Sequence, residues 1–162
     1  MSVIKVIMKK VGAPCSFLSA SPELSSCLQS CGTSRRFPAG EFLFREDQDN
    51  AGVFFLLTGK VLMSVRGLPN LDRLFSAGSV LGLPSSFTGH AYSLSAQAIA
   101  ESDMVYIPQA PFLDLMRERP DMCRECTDML GREVTFIQAA LTERRKKALA
   151  RKTVNRKLAV GS

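Results

Sequence analysis

The stretch from residue 34 to residue 107 limits the fold most, because short apolar segments alternate there with turn residues. The turns are rich in Pro, Gly, Asp and Asn, and strands recurring about every 8–12 residues are typical of a β-sandwich or barrel. The sequence therefore predicts a mainly β domain over residues 21–120, preceded by an N-terminal extension, residues 1–20. The predicted strands are residues 35–37, 41–44, 52–58, 60–66, 71–75, 92–98 and 100–107.

Residues 78–97 form a glycine-punctuated loop between two predicted strands. Gly78, Gly82 and Gly89 can adopt positive φ angles and let the backbone approach a bound molecule closely. The pattern therefore predicts a loop that cradles a ligand.

Two segments before this loop carry a family likeness: Pro-Ala-Gly-Glu-Phe-Leu-Phe at 38–44 and Val-Phe-Phe-Leu-Leu-Thr-Gly-Lys-Val at 53–61. With the loop, they resemble the cyclic-nucleotide-binding fold, in particular the sensor half of Crp/Fnr-type bacterial transcription regulators. The resemblance implies a β jelly-roll barrel with flanking helices, followed by a long C-terminal dimerisation helix. It also implies a cytoplasmic, non-enzymatic sensor in which residues 78–97 are the phosphate-binding cassette.

The ligand chemistry of that cassette departs from the family pattern. The family places a Glu after Gly-x-x-x-Gly to hold the ribose, and an Arg about ten residues later to pair with the phosphate. Here Leu83 stands in place of the Glu, and Tyr92 or Ser93, depending on a one-residue gap, in place of the Arg. Neither Tyr nor Ser can replace the bidentate guanidinium, so we expect little or no cyclic nucleotide binding. The domain is then expected either to respond to an unknown small effector or to serve as a scaffold. The candidate pocket residues are Gly78, Gly82, Leu83, Pro84, Ser85, Ser86, Tyr92 and Ser93.

Helices are predicted on both sides of the strands. Ser21 followed by Pro22 begins a short helix that ends at Gly32. Residues 110–119 form another, and Pro120 opens a long helix over residues 121–150, roughly 43 Å in length. One small barrel cannot cover such a helix, so we expect a homodimer, although its stripe could also pack only on its own barrel. The apolar stripe is Met122, Cys126, Met129, Leu130, Val134, Ile137 and Leu141.

Basic residues are concentrated at the C-terminal end. From Glu143 onward there are eight basic side chains and one acidic, which leaves thirteen basic and fourteen acidic residues before it, in a chain of net charge +6. We expect a basic tail over residues 151–162 and no winged helix-turn-helix. The cations are either a solvated helix end or, alternatively, a non-specific nucleic-acid contact. The residues in question are Arg144, Arg145, Lys146, Lys147, Arg151 and Lys152.

The remaining composition argues against other classes of protein. The five cysteines, Cys15, Cys27, Cys31, Cys123 and Cys126, do not have the spacing of a zinc or iron–sulfur site, so we expect no metal. The single histidine, His90, is expected to be a solvated loop residue, and no base with an orienting partner is apparent, which argues against an enzyme. A redox pair at Cys123 and Cys126 is the remaining enzymatic alternative. No apolar run is long enough to cross a membrane.

Overall fold

The structure, a computed structural model, describes residues 3–160 of the chain. It contains five α-helices and eight β-strands within those residues. The strands are β1 (Thr33–Phe37), β2 (Phe42–Phe44), β3 (Gly52–Thr58), β4 (Lys60–Ser64), β5 (Arg73–Ser76), β6 (Val80–Leu81), β7 (Ser95–Ala98) and β8 (Ser102–Pro108). The helices are α1 (Val3–Val11), α2 (Pro22–Cys31), α3 (Leu83–Thr88), α4 (Gln109–Glu118) and α5 (Pro120–Val160).

The strands form two four-stranded antiparallel sheets that enclose one apolar core. Their orders are β1-β8-β3-β6 and β2-β7-β4-β5. No strand pairing joins the two sheets within residues 3–160, so the jelly roll is confirmed but the expected closed barrel is not. The two sheets instead meet through side chains, because alternate residues of each point into the shared core.

The N-terminal segment is part of this domain. Ser21 caps α2 by accepting a hydrogen bond from the Leu24 N–H at 3.2 Å, and Pro22 is the first helical residue, as predicted. Before it, Cys15 forms an isolated bridge with Phe75 and Ser19 forms one with Ser79. Residues 15–20 therefore cover the end of the sheets, and only α1 resembles an extension.

Most predicted strands are shifted by two residues or less, but the strand predicted over 92–98 begins only at Ser95. Tyr92 leaves the sheet because its N–H donates to the Gln48 carbonyl at 3.0 Å and its carbonyl accepts from the Asp47 N–H at 2.8 Å. The backbone of Tyr92 is thus tied to the β2–β3 turn. Its tertiary contacts override a sequence that is suitable for a strand.

The C-terminal helix α5 is longer than predicted. It is one continuous helix of 41 residues, about 60 Å in length at ~1.5 Å per residue, so the expected division into a helix over 121–150 and a tail over 151–162 is not seen. Ala, Leu, Arg and Lys dominate residues 144–158 and are strong helix formers, which explains the extension. Within the described residues no winged helix-turn-helix occurs, and no helix has both the length and the apolar character to span a membrane.

Candidate effector pocket

The predicted cassette loop has the backbone geometry that its glycines suggest. Gly82 has φ +91° immediately before α3, and a Cβ there would lie 3.1 Å from the Gly52 carbonyl oxygen. Gly89 has φ +77° after α3 and donates its N–H to the Ser85 carbonyl at 2.7 Å. Only glycine meets both the angle and the close approach at residue 82. Gly78, with φ +94°, donates to the Leu56 carbonyl at 2.7 Å and so joins the loop to β3.

Two serines of the loop form hydrogen bonds with a side chain outside the loop. Ser85 and Ser86 are buried, and their hydroxyls accept hydrogen bonds from the Asn50 amide nitrogen at 2.9 and 3.3 Å. Gln109 donates to the Ser86 carbonyl at 3.1 Å. The α3 turn is therefore held between the β2–β3 turn and α4. Among the other predicted pocket residues, Leu83 is buried in the core, Pro84 is half-buried, and Ser93 and His90 are exposed.

Tyr92, one of the two residues predicted in place of the family arginine, points into the domain and is 3% exposed, whereas the other, Ser93, is exposed. Its ring stacks on Phe44 with the centroids 3.9 Å apart. Its hydroxyl donates to the Gly52 carbonyl at 2.7 Å and accepts from the N–H groups of Gly52 at 3.1 Å and Ala51 at 3.3 Å. Burial raises the pKa of the Tyr92 phenol above its ordinary value, despite these hydrogen bonds. Tyr92 is therefore a neutral, fully bonded side chain of the interior.

The space that remains beside Tyr92 is small. The cavity there has a volume of about 10 Å³, the size of a single water, whereas drug-sized ligands occupy pockets of roughly 300–1,000 Å³. The lining residues are Phe44, Met63, Gly82, Pro84, Ser85, Tyr92, Ser93, Leu94 and Glu133.

Two buried charged side chains lie next to each other in the interior, and neither was predicted from the sequence; one of them, Glu133, lines this cavity. Arg73 of β5 and Glu133 of α5 have side chains only 1% and 2% exposed, and Arg73 Nη2 lies 3.6 Å from Glu133 Oε1. Burial lowers the pKa of Arg73 and raises that of Glu133, and each charge partly offsets the shift of the other. The described interior therefore contains one basic and one acidic side chain, and neither comes from the cassette.

A sequence signal for Arg73 existed in the two-residue strand period. Leu71, Arg73 and Phe75 alternate along one segment, and residues of one parity share a face of a strand. Phe75 is an obvious core residue, so the period places Arg73 on the same inward face. Glu133 gives a weaker signal: it lies four residues after Met129 and three before Phe136, and residues at that spacing share one face of a helix.

The predicted dimerisation stripe on α5 is divided in the structure. Met122, Cys126 and Met129 are buried against the jelly roll of the same chain. Further along, Val134 is 49% exposed, whereas Leu130, Ile137 and Leu141 are partly buried. The first half of the stripe packs on its own domain, and the second half is only partly covered.

The basic residues lie on the part of α5 that extends past the jelly roll. All six predicted nucleic-acid residues are exposed: Arg144, Arg145, Lys146, Lys147, Arg151 and Lys152. Arg144 donates to the Gly67 carbonyl at 2.9 Å, and Asn70 donates to the Ala140 carbonyl at 2.8 Å, so the β4–β5 connection supports the middle of the helix. A groove of about 660 Å³ lies along this contact.

The five cysteines form neither a disulfide nor a metal-binding group within the described residues. All five are free, and no group of three or more metal-ligand residues occurs in the part of the chain described. Burial raises the pKa of Cys126 to about 12, and burial also raises the pKa of Cys15 and Cys31. These shifts work against thiolate formation, on which a redox-active cysteine depends.

Comparison with known proteins identifies the family. Residues 34–119, more than half of the chain, match the family model described as the cyclic nucleotide-binding domain. The chain belongs to this family, which confirms the resemblance seen in the sequence. Among curated protein sequences, none matches the chain at a significant level.

Solved structures extend the likeness to regulators of the Crp type. The chain resembles the catabolite activator protein of Thermus thermophilus, with TM-score 0.65 and 22% identity over 78% of this chain and 61% of that one. It also resembles a protein of a cyclic-GMP-dependent signalling pathway that regulates bacterial phytopathogenesis, with TM-score 0.62 and 21% identity over 75% of this chain and 96% of that one. A third similar structure is the c-di-GMP-responsive global regulator CLP of Xanthomonas campestris, with TM-score 0.61 and 15% identity over 80% of this chain and 65% of that one. At these identities the likeness shows the fold.

Proposed function

We propose that this chain is a non-enzymatic regulatory domain of the Crp/Fnr type, dimeric through α5, whose pocket no longer takes a cyclic nucleotide. The stack of Tyr92 on Phe44 carries this proposal, because it fills the place of the nucleotide and leaves a cavity of about 10 Å³. The cassette glycines that shape the loop are kept, and the Glu and Arg that grip sugar and phosphate are replaced. The pocket thus keeps its form and has changed its ligand.

The exposed part of the α5 stripe supports the dimer. Leu130, Val134, Ile137 and Leu141 follow one another at steps of four, three and four residues, the spacing of a coiled-coil seam. Val134 in this row is half exposed in a single chain. A second copy of α5 would cover the row across a two-fold axis.

Calorimetry with cyclic AMP and cyclic GMP tests the pocket, and light scattering tests the dimer. In calorimetry we expect no heat of binding for either nucleotide at a ligand concentration of about 1 mM, which is on the order of the weakest specific dissociation constants. In light scattering we expect the mass of two chains. Micromolar binding of either nucleotide would contradict the pocket proposal. A mass of one chain at all protein concentrations would contradict the dimer.

A second candidate function is nucleic-acid binding by the end of α5. Eight basic side chains follow Glu143, and those at 151, 152, 156 and 157 are exposed beyond the β4–β5 support. If these four residues contact phosphates, replacing all four by Gln should reduce the slope of log affinity against log salt concentration by about three to four. An unchanged slope would remove this candidate. Arg117→Gln, on α4, is the matched control, and we expect it to leave the slope unchanged.

A further inference from the structure

Arg73 faces the inside of the jelly roll, beside the cassette. In the antiparallel pairing of β4 with β5, Arg73 is directly opposite Met63, and directly opposed residues project from the same face of a sheet. Met63 lines the cavity beside Tyr92. The guanidinium therefore lies in the interior beside Glu133, which lines the same cavity as Met63.

The Arg73 guanidinium lies near two aromatic rings, but its nitrogen atoms make no hydrogen bond. The Phe136 ring centroid lies 4.8 Å from its central carbon and that of Phe75 lies 5.9 Å away. Yet none of Nε, Nη1 and Nη2 has a hydrogen-bond partner, and Glu133 Oε1, 3.6 Å away, has none either. A structural Arg–carboxylate pair normally makes two hydrogen bonds at about 2.7–2.9 Å. Buried donors that remain unpaired are costly and call for an explanation.

We propose that Arg73 is the anion-binding residue of this pocket, and that Glu133 occupies the place of the oxyanion group, a carboxylate or a phosphate, of a small effector. The inference rests on the proposed function of the domain as a sensor. When the effector binds, its oxyanion takes the place that the Glu133 carboxylate leaves and bonds the open N–H groups of Arg73. The loose internal ion pair is thereby exchanged for a bidentate one.

The exchange would act on α5. Nearer its start, Glu125 accepts hydrogen bonds from the Ser21 hydroxyl at 2.6 Å and from the Ser21 N–H at 2.7 Å, which ties this part of the helix to α2. Met122, Cys126 and Met129 are buried against the jelly roll. Release of Glu133 therefore acts on the helix between about residue 130 and residue 140, where the bonds of Ala140 and Arg144 to the β4–β5 connection begin. That segment includes most of the row proposed to pair with a second copy.

Nuclear magnetic resonance of the Arg73 Nε–H group in the full chain tests the proposal, with sodium acetate and inorganic phosphate as separate probes. We expect a saturable shift of this resonance with at least one probe, and the responding probe identifies the oxyanion as carboxylate or phosphate. Glu133→Gln removes the internal competitor at nearly constant volume. This variant should bind the responding probe with a dissociation constant at least about tenfold lower than that of the wild type. The reason is that a smaller fraction of the protein has the side chain of residue 133 in the place of the anion.

The control is the double variant Arg73→Met/Glu133→Leu. Replacing a buried ion pair by apolar residues of similar volume is usually tolerated, so we expect this variant to fold. Its melting temperature should gain nothing from the probe that stabilises the wild type. An equal gain in both proteins would place the anion on the basic end of α5 and overturn the proposal.

The proposal would also be overturned if neither probe shifted the Arg73 Nε–H resonance in the wild type or in Glu133→Gln. If Glu133→Gln does not fold, the wild-type titration decides alone, because a saturable shift supports the proposal and its absence contradicts it. Neither result depends on the cyclic-nucleotide calorimetry or on the mass of the assembly. The proposed function and the anion site can therefore fail separately.

Discussion

Tyr92 and Phe44 stack almost in parallel inside the jelly roll, with an interplanar angle of 9° and a centroid distance of 3.9 Å. Phe44 comes from β2 and Tyr92 from the connection that follows α3, so the contact joins the cassette to the sheet. The phenol hydroxyl then reaches the backbone at the start of β3. One side chain thus closes the pocket and satisfies the buried polar groups of Gly52.

The hydroxyl of Tyr92 should contribute measurably to stability. In Tyr92→Phe the Gly52 N–H and carbonyl lose a buried partner, and we expect the free energy of unfolding to fall by about 1–3 kcal/mol. Urea denaturation measures this change. Tyr106→Phe is the matched control, because its hydroxyl bonds the Ala51 carbonyl at an exposed position where water can replace it, and we expect a loss below about 1 kcal/mol. Equal losses would contradict the assignment.

The link between Ser21 and Glu125 should stabilise the packing of α5 on α2. Glu125→Ala removes a charged acceptor of two short hydrogen bonds, and we expect a loss of about 1–3 kcal/mol in the free energy of unfolding. Asp128→Ala, at an exposed position one turn along the same helix, should change it by less than about 0.5 kcal/mol. A loss as large for Asp128 would show that the effect comes from the charge of the helix rather than from the Ser21 contact.

A charge at Val134, the half-exposed residue of the α5 stripe, should dissociate the proposed dimer. Val134→Glu places two carboxylates opposite each other across the two-fold axis, which costs several kcal/mol and raises the dissociation constant at least about a hundredfold. Analytical ultracentrifugation measures the constant. Thr135→Glu adds the same charge about 100° further round the helix and should leave it unchanged. A dimer that tolerates Val134→Glu would have to form through another surface.

The pairing of β1 with β8 should depend on pH through Asp103. The Arg36 Nε–H donates to the Asp103 carboxylate at 2.9 Å, and this bond holds the pKa of Asp103 below its ordinary value. A folded-state pKa below the unfolded one means that the stabilisation is present above the unfolded pKa of about 3.9. It is lost as the pH falls through the folded pKa.

Arg36→Gln should therefore raise the pKa of Asp103 and weaken the dependence of stability on pH below about pH 4. Carbon-13 resonances of the Asp103 carboxyl group report the titration. Arg35→Gln is the control, because the Arg35 guanidinium lies over the Tyr106 ring at 4.0 Å. If Arg35→Gln moves the pKa as far as Arg36→Gln does, general charge and not the direct bond sets the value.

The sequence by itself determined the family and most of the elements, although α1 and β6 were not predicted. Turn residues at regular spacing located the strands, Ser21 with Pro22 located the start of α2, and the cassette glycines located the loop, because these signals act over a few residues. The length of α5 was underestimated, since a charge-rich segment of strong helix formers was interpreted as a tail. The departure of Tyr92 from its strand was missed because its partners, Gln48 and Gly52, are distant in the chain.

The charges of the pocket were decided only by the tertiary structure. The cassette lacks the Glu and the Arg of the family pattern, so residues 78–97 by themselves predict no charged side chain in the pocket. Arg73 and Glu133 are sixty residues apart in the numbering and come together only when α5 packs against the jelly roll. Local patterns report which face a residue takes, whereas the burial and pairing of two charges depend on which faces the folded chain brings together.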